Sequence, residues 1–469
     1  MSRTLDLVDL RAAERSLAPP FDVALSEVAP SSLADGPFTV TCEEIFRLLP
    51  ARRLVARVIW REQRYVLKLF FDGKAQRDCS REVAGLAALA GSAVPTPRIS
   101  AQVTLASDAC GLLLEYLPGA KEIDWSDTPG VTAVACLLAD MHAQGVWQDD
   151  LHLDNFLTSG ERVFAIDGGG VRSRHSALNE KSSFANLGVL LAQRPPLVDD
   201  EIADIGRAYC ERRNWQIDDR RAQRQLAAVA IQRRARVRRY LAKVQRDCTE
   251  FAVAKTFTRY QVCVRERGSF SLTGLIDAPA KAVESGAVLK AGNSATVARV
   301  AMAVGASVVV KRYNVKSLAH ALRRALKPQA RFRRAWINGQ RLHFLNIPTP
   351  RPLALIEQRI GPWRGVAYLV TEDLGDVDLL TEITASGLSE KRCTQITAIF
   401  TSLQRAGLTH GDTKASNFLI WQDEVFLIDL DAMTENPAGL RKDLARFLQN
   451  WDGAIRRRFA EAFQEAGLV

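Results

Sequence analysis

Two segments of this chain repeat one arrangement of oxygen-bearing side chains. In the first, Asp150 is followed five residues on by Asn155 and twelve residues after that by Asp167; in the second, Asp412, Asn417 and Asp429 keep the same spacing. The run before each last aspartate, RVFAID or EVFLID, reads as a strand. A loop that holds an aspartate near an asparagine, with a strand that delivers a second aspartate beside them, suits transfer of phosphate to a hydroxyl. In that chemistry a protein mainly positions groups and neutralises charge. The first aspartate can orient the acceptor hydroxyl and take its proton. The asparagine and the last aspartate offer the hard oxygen ligands that Mg²⁺ demands. A lysine on an early strand, Lys68 or Lys311, can bind the phosphates of ATP.

The elements that must position these residues are themselves duplicated. Residues 148–171 (QDDLHLDNFLTSGERVFAIDGGGV) align without a gap on 410–433 (HGDTKASNFLIWQDEVFLIDLDAM) at an offset of 262. Upstream, VPTPR at 94–98 matches IPTPR at 347–351, and RYVLKLFF around Lys68 matches SVVVKRYN around Lys311. Each copy runs through alternating strands (RRLVARVIW and RYVLKLFF; TVARVAMAV and SVVVKRY), then a segment of helical period (SREVAGLAALA; RRAWINGQRLHFL). A strand with an acidic end at Glu115 or Glu372 follows, then a helix (VTAVACLLADMHAQG; KRCTQITAIFTSLQRAG) and the Asp/Asn loop. Strands followed by helices predict an α+β class made of two tandem bilobal units, each with a small β-rich lobe and a helical lobe. The expected boundaries are 1–35 for an N-terminal extension read as disordered, 36–250 for the first domain and 251–469 for the second.

Composition narrows the setting. Nearly half of the 469 residues are apolar, enough for a core in each copy, and the net charge of +10 suggests an anionic partner. The N-terminus lacks the apolar run of a secretory signal, and no stretch of about 18 apolar residues could span a bilayer. The eight cysteines show no CxxC or metal-ligand spacing, so reduced thiols in a cytoplasmic protein are expected.

HGD-x-K-x-x-N followed by I-D resembles the catalytic and metal-binding loops of protein kinases. Within that group, LTHGDTKASNFLI and QDDLHLDNFL resemble the bacterial lipopolysaccharide kinase family (Kdo/WaaP, InaA-like), and RRLVARVIW…YVLKLFF…REVAGLAAL…VPTP resembles its Kdo-kinase-like branch. The likeness covers nearly all of 40–250 and 285–460. It implies an ATP- and Mg²⁺-dependent kinase acting on a heptose or Kdo hydroxyl of the lipopolysaccharide core. Asp150 and Asp412 become the bases, and Asn155, Asp167, Asn417 and Asp429 the Mg²⁺ ligands. Lys68 and Lys311 become the phosphate contacts, with Glu82 pairing Lys68 from the helix. Lys414, two residues after its base, could neutralise the transferred phosphoryl group; His152 holds that place in the first copy, as in aminoglycoside phosphotransferases. The implied partners are a lipid A-linked acceptor and other core-biosynthesis enzymes, on the cytoplasmic face of the inner membrane.

Some positions depart from this pattern. Aligning the two PTPR segments puts Ala335 opposite Glu82, with Asn338 one turn on as a weak substitute. Gln148 stands opposite His410. The first copy has no glycine-rich loop, and the second only AGNSATVARV around Gly292. IDGGG keeps a glycine after the metal-side aspartate where IDLDA does not, although Asp431 adds a carboxylate. Two basic runs, 220–246 and 316–334, read either as solvated helix faces or as surfaces for an anionic membrane; no nucleic-acid motif accompanies them. Two other readings stay open: a protein or small-molecule kinase, and a non-catalytic scaffold or sensor of one or two pseudokinases.

Overall fold

The computed structural model describes residues 3–13, 17–28, 36–105, 109–265, 272–302, 305–314, 330–361 and 363–469. It divides into two compact units, one of 1–193 with 200–232 and one of 194–199 with 233–469. Mixed helix and sheet run through both, as the α+β expectation has it.

The first unit opens with β1 (Arg3–Leu5), α1 (Leu7–Ala12) and β2 (Phe21–Glu27), followed by β3 (Phe38–Leu49), β4 (Arg53–Trp60) and β5 (Gln63–Phe70). After α2 (Ala75–Gly91) come β6 (Ile99–Thr104) and β7 (Cys110–Glu115). The strands order as β1-β2-β3-β4-β5-β7-β6, and β6 pairs back onto β2 through Ser26–Thr104 and Glu27–Val103, so six strands close on themselves. A closed sheet leaves no exposed edge. For the described residues 3–13 and 17–28, this corrects the reading of 1–35 as a disordered extension. Leu5, Leu7, Leu10, Phe21, Val23 and Leu25 are buried in the sheet's core, and an Asp6–Asp9 capping box starts α1. The alternation in FDVALSE supplies one apolar face, and burying it outweighs the polar composition around it.

The rest of the unit positions the loop. In order come β8 (Lys121–Glu122), α3 (Thr128–Ala143), β9 (Val146–Gln148), the hairpin β10 (Phe156–Ser159) and β11 (Arg162–Ala165), and β12 (Val171–Ser173), which pairs with β9. Helices α4 (Glu180–Leu191), α5 (Asp199–Arg212) and α6 (Asp219–Leu241) follow.

The compact units divide within α6, at 232–233, whereas the expected domain boundary is 250. The end of that helix belongs with the second unit: Tyr240 stacks on Phe344 with centroids 4.4 Å apart, and Val244 is buried beside Phe251 and Trp336. The basic run on α6 is partly structural. Arg221 and Arg224 pair with Glu180, and Arg233 with Asp199, while Arg220, Arg234, Arg238 and Arg239 are exposed. Most of the other basic run, 315–329, lies outside the described residues.

The second unit has β13 (Phe251–Lys255) and β14 (Arg259–Val264), then α7 (Thr273–Asp277) and α8 (Pro279–Ser285). Strands β15 (Ala287–Ala291), β16 (Ala295–Ala301) and β17 (Ser307–Tyr313) lead to α9 (Arg331–Phe344), β18 (Pro352–Ile360) and β19 (Trp363–Glu372). Seven antiparallel strands order as β13-β14-β18-β19-β17-β16-β15. Then come α10 (Leu379–Ser386), α11 (Glu390–Ala406), the hairpin β20 (Phe418–Trp421) and β21 (Glu424–Leu427), α12 (Leu440–Leu448) and α13 (Gly453–Glu465). Their aromatic core centres on Phe400, Phe418, Phe447, Phe459 and Phe463.

Candidate active site

In each unit the loop and the hairpin after it are tied together by main-chain bonds. Ile166 N donates to Asn155 O and Ile428 N to Asn417 O, each at 2.9 Å, so the last aspartate emerges beside the asparagine. The repeated PTP segment serves the same end. Ala165 N donates to Pro95 O and Thr96 Oγ1 to Ala165 O at 2.7 Å; Leu427 N donates to Pro348 O and Thr349 Oγ1 to Leu427 O at 2.8 Å. The strand that delivers the aspartate is thereby pinned to the turn that follows the long helix. The asparagines are set alike: Asn155 Nδ2 donates to Asp150 O and Asn417 Nδ2 to Asp412 O, both at 2.7 Å. That commits the amide nitrogen and leaves the amide oxygen for a cation.

In the first unit Lys68, on β5, lies 2.6 Å from Glu82 Oε1 of α2 and 2.9 Å from Asp167 Oδ1. Lys68 and Glu82 are buried. Glu82 Oε1 also accepts Gly168 N at 2.9 Å, so one carboxylate holds both the lysine and the chain after Asp167. Helix and loop nearly touch here: a side chain on Gly85 would meet Gly168 O at 1.9 Å. Burial alone would raise the Asp167 carboxyl, but the Lys68 ammonium holds it well below the usual carboxylate range. Burial pushes Glu82 up against the pull of the same ammonium. Asp150 is open to solvent, its side chain 86% exposed, and accepts from or shares a proton with His152 Nε2 at 3.0 Å. His152 Nδ1 meets Gln193 Oε1, and Gln193 Nε2 returns to Leu151 O. Beneath this loop a cleft of about 380 Å³ is lined by Trp147, Asp149, Arg174, Asn186, Val189 and Gln232, among others.

In the second unit Lys311, on β17, lies 2.6 Å from Asp429 Oδ1 and 3.1 Å from Asp431 Oδ2. Asp429 takes a left-handed backbone, φ 60°, which aspartate tolerates better than most residues. Burial alone would raise its carboxyl, but Lys311 holds it down. Asn338 does not reach the lysine; its Nδ2 donates to Leu430 O at 3.2 Å and Met433 O at 3.0 Å. Asp412 pairs with Arg446 at 2.7 Å, and Lys414 stands 4.0 Å away. His410 is buried, and burial lowers its basicity. Its Nε2 faces Ile428 O at 2.9 Å and its Nδ1 accepts Asp412 N at 3.3 Å, which fixes the neutral Nε2–H tautomer. Gly292 sits in the β15–β16 turn, and Asn314 Nδ2 donates to its carbonyl at 3.3 Å.

Sequence reasoning missed the residue that anchors the second loop. Asp443, on α12, accepts His410 N at 2.6 Å and Gly411 N at 3.0 Å. Its counterpart in the first unit, Asn186, donates to Gln148 O at 2.8 Å. Laying LRKDLARFLQN on KSSFANLGVLLAQ with the two helices in register would have exposed the pair.

A lysine, buried in the first unit and half-buried in the second, that bridges to an aspartate beside an Asp/Asn loop can hold a nucleotide's phosphates, a divalent cation and an acceptor hydroxyl together. Among the described residues no three His, Cys, Asp or Glu side chains could hold a metal by themselves. The oxygen donors Asn155 with Asp167, and Asn417 with Asp429, suit Mg²⁺ completed by phosphate and water.

The comparisons agree with this chemistry. Residues 280–463 match the model of the lipopolysaccharide kinase (Kdo/WaaP) family, and residues 51–257 match that of the phosphotransferase enzyme family. The chain is a kinase-type phosphotransferase with two such domains in tandem. The first half, read from its sequence as Kdo-kinase-like, thus falls to the phosphotransferase enzyme model. A search of curated proteins returned no match. Among the described residues no helix is long and apolar enough to cross a membrane.

Proposed function

We propose that both units transfer the terminal phosphoryl group of ATP to a sugar hydroxyl, and that the second acts on a heptose or Kdo of the lipopolysaccharide core. The observation that carries the kinase reading is the Lys–Asp ion pair beside an Asp/Asn loop, formed twice: Lys68–Asp167 and Lys311–Asp429. The acceptor class rests on the Kdo/WaaP match over 280–463. Each unit is read as bilobal, with the sheet and long helix as one lobe, the remaining helices as the other, and the nucleotide between them.

Asp150 and Asp412 accept the proton of the attacking hydroxyl as its oxygen bonds to phosphorus and the bond to the ADP oxygen breaks. Lys68 and Lys311 hold phosphate oxygens, and Glu82 orients Lys68. Asn155 with Asp167, and Asn417 with Asp429, would hold Mg²⁺, which when bound neutralises charge on the phosphates. Lys414 and Arg446 flank Asp412 with two exposed cations, which suits an acceptor that already bears negative charge. The exposed arginines of α6 suit a lipid A-linked acceptor in an anionic membrane surface.

For the first unit a small polyhydroxylated acceptor is the alternative. Its match to the phosphotransferase enzyme family favours this, as does a cleft that pairs Trp147 with Asp149, Asn186 and Gln232. The test is mass spectrometry of core lipopolysaccharide from a deletion strain carrying wild type, Asp150→Ala or Asp412→Ala. Loss of one phosphate with Asp412→Ala is the expected result. Identical cores in every strain would remove the core sugar as substrate, and purified protein would then be screened on peptides and small polyols.

A further inference from the structure

The lysine of the second unit has no acidic partner on its helix, because Ala335 stands where the first unit has Glu82. It meets two carboxylates nonetheless. We infer that Asp431 is the positioning residue for Lys311: a loop carboxylate does for the second unit what a helix carboxylate does for the first. The inference rests on the kinase reading above.

The first unit shows why the exchange works. Gly169 occupies the place of Asp431, and a Cβ on Gly169 would lie 3.2 Å from Glu82 Oε2. A side chain grown from the loop therefore enters the space that the helix glutamate fills. The two solutions exclude each other: glutamate on the helix with glycine on the loop, or alanine on the helix with aspartate on the loop. Asp431 is only 4% exposed, so its charge must be paired and its oxygens bonded. Lys311 and Arg331 both reach its Oδ2, at 3.1 and 2.9 Å, and the Tyr313 hydroxyl donates to Oδ1 at 2.7 Å. In register, Tyr313 replaces Phe70 and Arg331 replaces Asp78, so the carboxylate's move is accompanied by two new groups that bond it. The other task of Glu82, holding the chain after the metal-side aspartate, passes to Asn338 through Leu430 O and Met433 O. Both partners of Lys311 therefore ride on one short turn, Leu430–Ala432 with Asp429 before it, and not on α9.

The test uses the full chain. Acylation of Lys311 by an amine-reactive ester, without nucleotide, is followed by peptide mass spectrometry in wild type, Asp431→Asn, Asp431→Glu and Asp431→Gly/Ala335→Glu. Release of the ammonium should raise labelling several-fold in Asp431→Asn. Asp431→Glu, and the double variant with its helix carboxylate restored, should return to within about twofold of wild type. With the first unit silenced by Asp150→Ala, Asp431→Asn should raise the KM for ATP on the order of 10-fold and lower kcat less. Labelling and KM in Asp431→Asn equal to wild type would overturn the inference. So would labelling equally high in Asp431→Asn and Asp431→Glu, both with wild-type melting temperatures. A wild-type chain that turns over no ATP would sink the kinase reading alone, since labelling still decides the role of Asp431.

Discussion

The two units solve one problem with different residues. In the first, the lysine's second carboxylate comes from α2, so the ion pair Lys68–Glu82 forms only when that helix is seated against the loop. In the second, both carboxylates belong to the segment 429–431, and α9 supplies no carboxylate, only Arg331 to Asp431 and Asn338 to the main chain. The loops differ as well. Asp150 is exposed and faces His152, whereas Asp412 is largely covered and faces Arg446, where the first unit has Val189. The first loop hangs on an amide, Asn186, and the second on a carboxylate, Asp443. A lysine clamp thus needs a carboxylate at one point in space, and the chain can supply it from the helix or from the loop. The first unit's helix supplies the lysine's partner directly, and the second unit's helix reaches the lysine only through Arg331 on Asp431.

The largest expected effect asks whether the units work separately. Asp150→Ala and Asp412→Ala should each lower their own unit's turnover about 10³-fold or more and leave the other's within about twofold. Assays with both acceptor classes check this; cross-inhibition would show that the two sites act as one. Next in size is the transplant of the clamp. Glu82→Ala in the first unit should cost on the order of 10- to 100-fold in kcat/KM, and adding Gly169→Asp should recover part of it. If the loop aspartate recovers nothing in a well-folded double variant, the second unit's solution depends on Tyr313 and Arg331 as well.

Much of this contrast is legible in the sequence. The Asp/Asn/Asp spacing and the strand lysine marked both sites because the same spacing occurs twice. Glu82 is legible only through the resemblance to kinases, which implies a helix carboxylate pairing Lys68. Asp431 was visible only as an extra carboxylate, since its partner lies 120 residues away in sequence and the exchange with Glu82 exists only in space. Asp443 was hidden for another reason: in LRKDLARFL an aspartate in the first helical turn looks like an ordinary response to the helix dipole. The strand at 21–27 was missed because polar neighbours and two prolines mask its alternation, although its inward residues are wholly buried.

The anchoring residues give the third prediction. Asp443→Asn places in the second unit the residue type that the first one uses. An amide can accept only through its oxygen, and its NH₂ would face one of the two N–H groups of His410 and Gly411. Leaving a buried donor unpaired costs about 1–3 kcal/mol, so the second unit should melt several degrees lower. An unchanged melting temperature would mean that water or a shifted loop satisfies those groups.

The smallest effect concerns pH and belongs to the first unit. His142 on α3 is wholly buried; its Nδ1 meets the Tyr209 hydroxyl at 2.7 Å and its Nε2 meets Asn186 Oδ1 at 3.0 Å. Arg213 donates to the same hydroxyl at 3.2 Å, so Tyr209 gives its proton to Nδ1, and His142 is the neutral Nε2–H form that donates to Asn186. Asn186 in turn holds Gln148 two residues before Asp150. Burial first, and Arg213 after it, push His142 down to about 4, against a gain from Asn186. Because the folded state resists protonation, its contribution is complete above the ordinary value of 6.5 and is lost as pH falls toward about 4. At pH 5.5, one unit below that ordinary value, the first unit should therefore be less stable by about 1.4 kcal/mol. Urea unfolding at pH 7.5 and 5.5 measures the loss, and ring-proton NMR of His142 assigns it. A His142 resonance that titrates near 6.5 would break the proposed link from Tyr209 through His142 to the loop, and with it the claim that the first unit's loop is held by a neutral chain where the second uses a charge.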